Sequence, residues 1–297
     1  MANTKAEKGI VVKGIGGFYF VDTGKEVFRT RGRGILKRDK SLIMVGDMVE
    51  ATPPLPGDDD GVILNVFPRK NSFSRPPVAN LDKLVVTFSV ADPKPNLEVI
   101  DRLLVMAESK EIDPLVCINK ADKSIEGEVE KLYKIYSPIY PTVVTCCKDN
   151  EIKGIDELKA LIGESKAALA GPSGVGKSSL TNLLIPEAEM ETGDISKKTQ
   201  RGKHTTRHVE LFSVGEGYLY DTPGFTSFDL QDIKENELQD YFPEIKEAAR
   251  DCKFPDCFHL KEPECGVKSA LDKGLIAQER YNSYVSCLEE IRKNSKY

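Results

Sequence analysis

Residues 117–122 read "CINKAD" and residues 171–178 read "GPSGVGKS". The second string matches G-x-x-x-x-G-K-[ST]. It follows a predicted strand, "KAALA", and precedes a predicted helix, "SSLTNLLI", which is the setting such a loop needs to hold phosphates. Its backbone N–H groups can cradle phosphate oxygens, and Gly171, Gly174 and Gly176 allow close approach. Lys177 brings a cation to the outer phosphates, and the Ser178 hydroxyl suits Mg²⁺. The first string ends a predicted strand. Asp122 can accept hydrogen bonds from the N1–H and amino group of guanine; adenine offers neither donor, so the carboxylate would be left unpaired. Asn119 can bond the base edge, and the Lys120 stem can lie over the ring. "TCCK" at 145–148 can offer a backbone N–H to the guanine O6. In a typical small GTPase the phosphate loop comes first, whereas here the base motif precedes it.

The remaining motifs resolve the order. "YLYDTPGF" places Asp221 at the end of an apolar strand, where it can reach a metal through water. Gly224 there can donate its N–H to a γ-phosphate. "QRGKHTTRHVEL" supplies Thr206 as the expected first-switch ligand of Mg²⁺, with Thr205 second in line. The chain order is base motif, base-backing loop, phosphate loop, first switch and "DTPG". That is the usual cyclic order opened after "DTPG", and circular permutation keeps every contact. The expected nucleotide contacts are Asn119, Lys120, Ala121 and Asp122, then Thr145 and Cys146. They continue through Gly171, Pro172, Ser173, Gly174, Val175, Gly176, Lys177, Ser178 and Ser179, and end with Asp221 and Gly224. Phe225 stands where many GTPases place a water-orienting Gln, so the catalytic set is expected to be Lys177, Thr206 and His204, the imidazole of which can accept a hydrogen bond from water.

The 297 residues allow two or three domains. Residues 9–67 read as five short strands with Gly-rich turns, a small β-barrel of OB or SH3-like type. Phe18, Tyr19, Phe20 and Phe28 serve there either as a stacking face or as barrel filling. "PRKNSFSRPPVAN" has the composition of a linker. From residue 81 strands and helices alternate, which predicts an α/β domain with a mostly parallel sheet; short helices follow from residue 229. The expected domains are 1–70, a linker at 71–80, 81–228 and 229–297.

Net charge is −5, yet residues 1–80 hold 13 Lys/Arg against 9 Asp/Glu. Arg29, Arg31, Arg33, Lys37 and Arg38 form a basic patch, and a second runs from Lys197 to Arg207. Either they contact a polyanion or they are solvated surface. No apolar run approaches the roughly 20 residues that span a bilayer, and no secretory signal is evident. A cytoplasmic protein with no membrane partner is expected.

Seven cysteines argue against a disulfide framework. "CKFPDCFHLKEPEC" brings Cys252, Cys257, His259 and Cys265 together, a set suited to one structural, tetrahedral Zn²⁺; an iron–sulfur site is the weaker rival. Asp256, Glu262 and Glu264 are expected to face solvent. Cys117, Cys146, Cys147 and Cys287 are expected to serve packing.

With "NKAD", "GPSGVGKSS", "GKHTT", "DTPG" and the Cys/His pattern in this order, the whole chain resembles the RsgA (YjeQ/YloQ) family of circularly permuted GTPases. The resemblance implies an OB-fold barrel, a P-loop GTPase domain with Mg²⁺ and GTP or GDP, and a C-terminal helical zinc domain. It implies the small ribosomal subunit and its RNA as partners, with hydrolysis stimulated by the subunit and driving release during late maturation, and it points to His204. A monomer is expected. The alternatives from the residues are an RNA-binding chaperone in which nucleotide only sets conformation and, less in keeping with "NKAD", a P-loop kinase.

Overall fold

The computed structural model describes residues 5–33, 43–74, 76–148, 151–186, 209–225, 230 and 233–294. The chain divides into two units. The first comprises 1–82, 162–168 and 184–223; the second comprises 83–161, 169–183 and 224–297.

In the first unit the five expected strands form: β1 Glu7–Ile15, β2 Phe18–Asp22, β3 Val27–Gly32, β4 Met48–Thr52 and β5 Gly61–Val66. Their order is β1-β2-β3-β5-β4, and β4 returns to β1, so the sheet closes. Every pairing is antiparallel except β3 with β5. This is the OB-type barrel, and closure leaves no unpaired edge. Alternation points Val11, Val21, Phe28, Val49, Ala51 and Ile63 into the interior. Phe28 is thus barrel filling, while Phe18 and Phe20 remain half-exposed on the outer face.

The stretch with linker composition carries a short antiparallel ladder, β6 Ser72–Ser74 with β7 Pro77–Ala79. Two side-chain amides hold it where Pro and Ser withhold regular pairing. Asn71 Nδ2 donates to the Leu81 carbonyl and its Oδ1 accepts from Leu81 N, both at 2.9 Å. Asn80 accepts from Lys70 N and donates to the Gly46 carbonyl. Gly46 needs to be glycine: its φ is +93°, and a Cβ would lie 1.9 Å from the Tyr220 hydroxyl. That hydroxyl donates to the Ala79 carbonyl at 2.6 Å. Tyr220 lies on β13 Gly217–Phe225, which pairs antiparallel with β12 Glu210–Val214. β12 meets β1 at Lys13 opposite Glu210, with an ion pair of 2.7 Å, and Tyr218 donates to Asp22 at 3.0 Å.

In the second unit, β8 Lys83–Ser89, β9 Asp113–Asn119 and β10 Thr142–Val144 pair in parallel, in the order β10-β9-β8. β8 is almost continuously buried, as a strand covered on both faces must be. The intervening helices are α1 Leu97–Ser109, capped by Asn96, α2 Glu128–Tyr136 and α3 Ile155–Ile162. α5 Pro243–Ala249, α6 Gly266–Asp272 and α7 Gln278–Asn294 follow later, after α4 Lys177–Leu184. α7 is fixed to α1 through Arg280, whose side chain is fully buried. Its guanidinium donates to Asp101 at 2.7 Å and to Glu244 at 2.7 and 3.2 Å, and it lies 4.7 Å from the Phe242 ring centroid. Burial alone would favour deprotonation, but Asp101 and Glu244 outweigh it and keep the group charged. Among the described residues no helix is long and apolar enough to cross a membrane.

Candidate functional site

The loop at 171–178 lies between β11 Lys166–Ala170 and α4. At Gly171, φ is +141° and a Cβ would sit 1.9 Å from the Thr87 carbonyl oxygen, so the loop can turn against β8 only as glycine. Gly174 and Gly176 have φ of +79° and +98°. Ser173 and Gly174 are exposed, while Val175 is buried and anchors the loop. Lys177 is half-buried, and its ammonium donates to the Gly171 and Pro172 carbonyls at 2.7 and 2.6 Å. Burial lowers its pKa to about 8. The loop thus sets one half-buried ammonium at the start of α4, beside the unpaired N–H groups of the helix's first turn, an arrangement that attracts anions.

The base motif meets this loop directly. Asn119 ends β9 and is buried; its Nδ2 donates to the Val175 carbonyl at 2.9 Å. Its Oδ1 accepts from the Thr145 hydroxyl at 2.9 Å. A Cβ on Gly176 would lie 2.4 Å from Asn119 Nδ2, so the two segments are in contact through glycine as well. Lys120 adopts φ of +60°, and its ammonium reaches the Asp92 carbonyl at 2.6 Å. Residues Ala121–Lys123 form a 3₁₀ turn held by Ala121 N to Thr145 O at 3.1 Å, which leaves Asp122 exposed at the rim. Two motifs some fifty residues apart and in unusual order thus share one site. The Asn119–Val175 bond was not visible in the sequence, because nothing local to either motif announces the other.

Asp221 lies in the first unit, on β13 opposite Glu210; burial and then the Glu210 charge raise its pKa. Gly224 lies near the end of the same strand. His204, Thr205, Thr206, Lys37 and Arg38 fall outside the described residues. Arg29 and Arg31 both project from the outer face of β3 and pair with Asp60, at 2.8 Å for Arg31. Their guanidinium carbons lie 4.9 and 4.6 Å from the Phe18 ring centroid. Arg33 is exposed.

The four Cys/His ligand atoms lie within 4.8 Å of one another. His259 Nδ1 is 3.5 Å from Cys252 Sγ and 3.4 Å from Cys265 Sγ, and those two sulfurs are 3.9 Å apart. A tetrahedral ion with bonds of about 2.3 Å to sulfur and about 2.0 Å to nitrogen sets S···S near 3.8 Å and S···N near 3.5 Å. The residues fit such an ion. His259 has φ of +61°, and its Nε2 meets Gln239 Oε1 at 2.9 Å, which turns Nδ1 toward the sulfurs. Gly266 N donates to Cys252 Sγ at 3.3 Å. Glu262 is not merely solvent-facing. It accepts the backbone N–H groups of Phe258, Leu260 and Lys261 at 3.1, 2.7 and 2.9 Å and so ties the loop between the ligands.

The RsgA GTPase family model matches residues 66–231, and the RsgA N-terminal domain model matches residues 8–63. The chain is 46% identical over 292 residues to the small ribosomal subunit biogenesis GTPase RsgA of Alkaliphilus metalliredigens, covering 98% of this chain and 99% of that one. It is 44% identical over 290 residues to the RsgA of Carboxydothermus hydrogenoformans, covering 97% and 99%. Among solved structures it resembles YjeQ from Thermotoga maritima, with a TM-score of 0.82, 37% identity and 97% and 99% of the two chains covered. It also resembles YloQ, described as a circularly permuted GTPase, with a TM-score of 0.83, 33% identity and 99% and 98% covered. The chain therefore belongs to the RsgA GTPase family, and its "NKAD" segment precedes its phosphate-type loop as that permutation requires.

Proposed function

We propose that this GTPase acts on the small ribosomal subunit during its late maturation, and that hydrolysis of GTP, stimulated by the subunit, drives its release. The observation that carries the nucleotide site is the Asn119–Val175 hydrogen bond, which sets a guanine-reading motif against a phosphate-holding loop. In this reading Asp122 selects guanine, and Asn119, Thr145 and Ala121 fix the strand ends beneath the base. The loop amides and Lys177 hold the phosphates. Mg²⁺ bound with GTP neutralises phosphate charge, and Ser178 and Thr206 would hold it. Asp221 and Gly224 respond to the γ-phosphate, and His204 orients the attacking water.

The Cys252, Cys257, His259 and Cys265 set holds one structural Zn²⁺. The barrel contacts ribosomal RNA through Arg29, Arg31, Arg33, Lys37 and Arg38. The functional domains are 1–70, 81–228 and 229–297 with a connection at 71–80, and the protein works as a cytoplasmic monomer. The test measures GTP turnover alone, with purified small subunits and with large subunits. Stimulation of more than tenfold by small subunits only is expected; equal turnover in all three would overturn the reading. A hydrolysis-deficient variant should bind small subunits and fail to leave them.

A further inference from the structure

The loop between β4 and β5, residues 53–60, reads "PPLPGDDD" and ends in three carboxylates. Barrels of this topology bind oligonucleotides on the outer face of β2 and β3 and on the loops beside it, of which this is one. An acidic loop is out of place there, because it repels the phosphates that such a face attracts.

The strand register fixes where the last of these acids goes. Gly61 opens β5 opposite Thr30 of β3. A Cβ on Gly61 would lie 2.1 Å from the Thr52 carbonyl oxygen, so only glycine lets the loop close this tightly. Thr30 is fully buried, and its hydroxyl donates to the Tyr19 carbonyl at 2.8 Å. Its neighbours Arg29 and Arg31 therefore both point outward. Asp60, one residue before Gly61, meets both. Arg29 Nε donates to Asp60 Oδ1, and Arg31 Nε donates to Asp60 Oδ2 at 2.8 Å in the second case. One carboxylate thus bridges two guanidiniums that share the Phe18 ring. The Asp60 side chain is only 14% exposed, against 41% and 61% for Arg29 and Arg31, so the acid is covered while the cations stay reachable from solvent.

A phosphodiester also carries two anionic oxygens on one centre, and guanidinium groups bind carboxylate and phosphate alike. Asp60 therefore sits where a backbone phosphate would sit. Ion pairs this exposed contribute little to the fold. The effect of this one falls on any anion that competes for the arginines.

We propose that Asp60 is a specificity-determining residue of the barrel's RNA face, a built-in phosphate surrogate that RNA must displace from Arg29 and Arg31. The inference rests on the reading above of this face as an RNA contact. A short flexible strand gains little beyond these two arginines and binds poorly. A folded RNA that also touches the protein elsewhere overcomes the competition.

The test measures binding of a short fluorescent oligouridine to the full-length protein across a range of salt. The double variant Arg29→Gln/Arg31→Gln should weaken binding; affinity equal to the parent's would overturn the RNA reading of this face itself. Given that loss, Asp60→Asn should tighten oligouridine about fivefold, as expected for removing one like charge close to a phosphate in water. It should also steepen the dependence of log affinity on log salt by about 0.7, for one further phosphate neutralised on a single strand. Asp60→Glu keeps the carboxylate and should stay within about twofold of the parent. The gain from Asp60→Asn should vanish in the double-variant background. If Asp60→Asn does not fold, Asp60→Ser replaces it. Unchanged or weaker binding by the neutral variant, an equal gain in Asp60→Glu, or a gain that survives without the two arginines would overturn the proposal.

Discussion

The ligand atoms of the Cys/His cluster come from residues 252–265, whereas the candidate nucleotide site draws Asn119 and Thr145 from the ends of two separate strands and Lys177 from the start of α4. The first is contiguous in sequence; Cys257 and Cys265 pack into an apolar cluster with Phe242, Ile245, Val267 and Tyr284, but the segment 250–265 that carries the ligands has no helix or strand to impose its shape. Four ligand groups can be held in one place by an ion that binds them all. The second is held open by a sheet that buries β8 and β9, so its geometry is set by the fold before any ligand arrives. A site built by an ion should fail with the ion. A site built by a sheet should lose its ligand without losing its shape.

The sharpest way to break this contrast is to remove the metal. Chelation, or Cys257→Ser, should cost on the order of 5 kcal/mol or more, since structural zinc contributes about 10–16 kcal/mol in small zinc domains. Hydrogen exchange should show α5, α6 and the intervening loop opening first while GDP binding persists, and elemental analysis should find one zinc per chain in the parent. Retained protection in the metal-free protein would erase the contrast.

The mirror experiment is Lys177→Ala. Losing a charge-assisted contact worth about 3 kcal/mol should weaken GTP binding about 100-fold. The thermal midpoint should hold or rise, because a desolvated ammonium has been removed from the loop. A large fall in midpoint would mean that this site too is built by local chemistry.

Gly176→Ala tests the seam between the two motifs. Its φ of +98° and the predicted contact with Asn119 Nδ2 should cost about 1–3 kcal/mol and weaken nucleotide binding as well. Thermal unfolding with a GDP titration checks both.

The smallest expected effect is on pH. Lys177 titrates near 8 in the free protein, and phosphates favour its charged form. GDP affinity should therefore fall as pH rises through about 8, with proton uptake on binding, and the dependence should vanish in Lys177→Ala. The sign for stability is the opposite. The depressed pKa destabilises the fold below pH 8, and that penalty fades as pH rises toward the unfolded value.

The same contrast governs what the sequence revealed. Glycines at 171, 174 and 176 and the Cys/His spacing are local signals: the three glycines adopt positive φ, and the four Cys/His ligand atoms gather within 4.8 Å of one another. Five strands were legible in the barrel from Gly-bounded alternation. Which aromatics filled it was not, because Phe18, Phe20 and Phe28 share the same local pattern and only closure decides which face is interior. Tyr218 and Tyr220 looked like ordinary strand residues; their partners Asp22 and Ala79 lie 196 and 141 residues away. From sequence Glu262 reads as solvent-facing, yet three backbone amides converge on it.

Arg280 bears on how the chain comes into being. Its partner Asp101 precedes it by 179 residues, so during translation α1 exists long before its guanidinium does. Burying that carboxylate early would leave an uncompensated charge, a penalty of about 3–5 kcal/mol. The nascent helix must keep this face wet until α7 emerges, which makes arrival of the last helix the event that seals this part of the molecule. A chain ending before Arg280 would leave Asp101 and Glu244 without the guanidinium that joins them, and closing this face would then carry that cost.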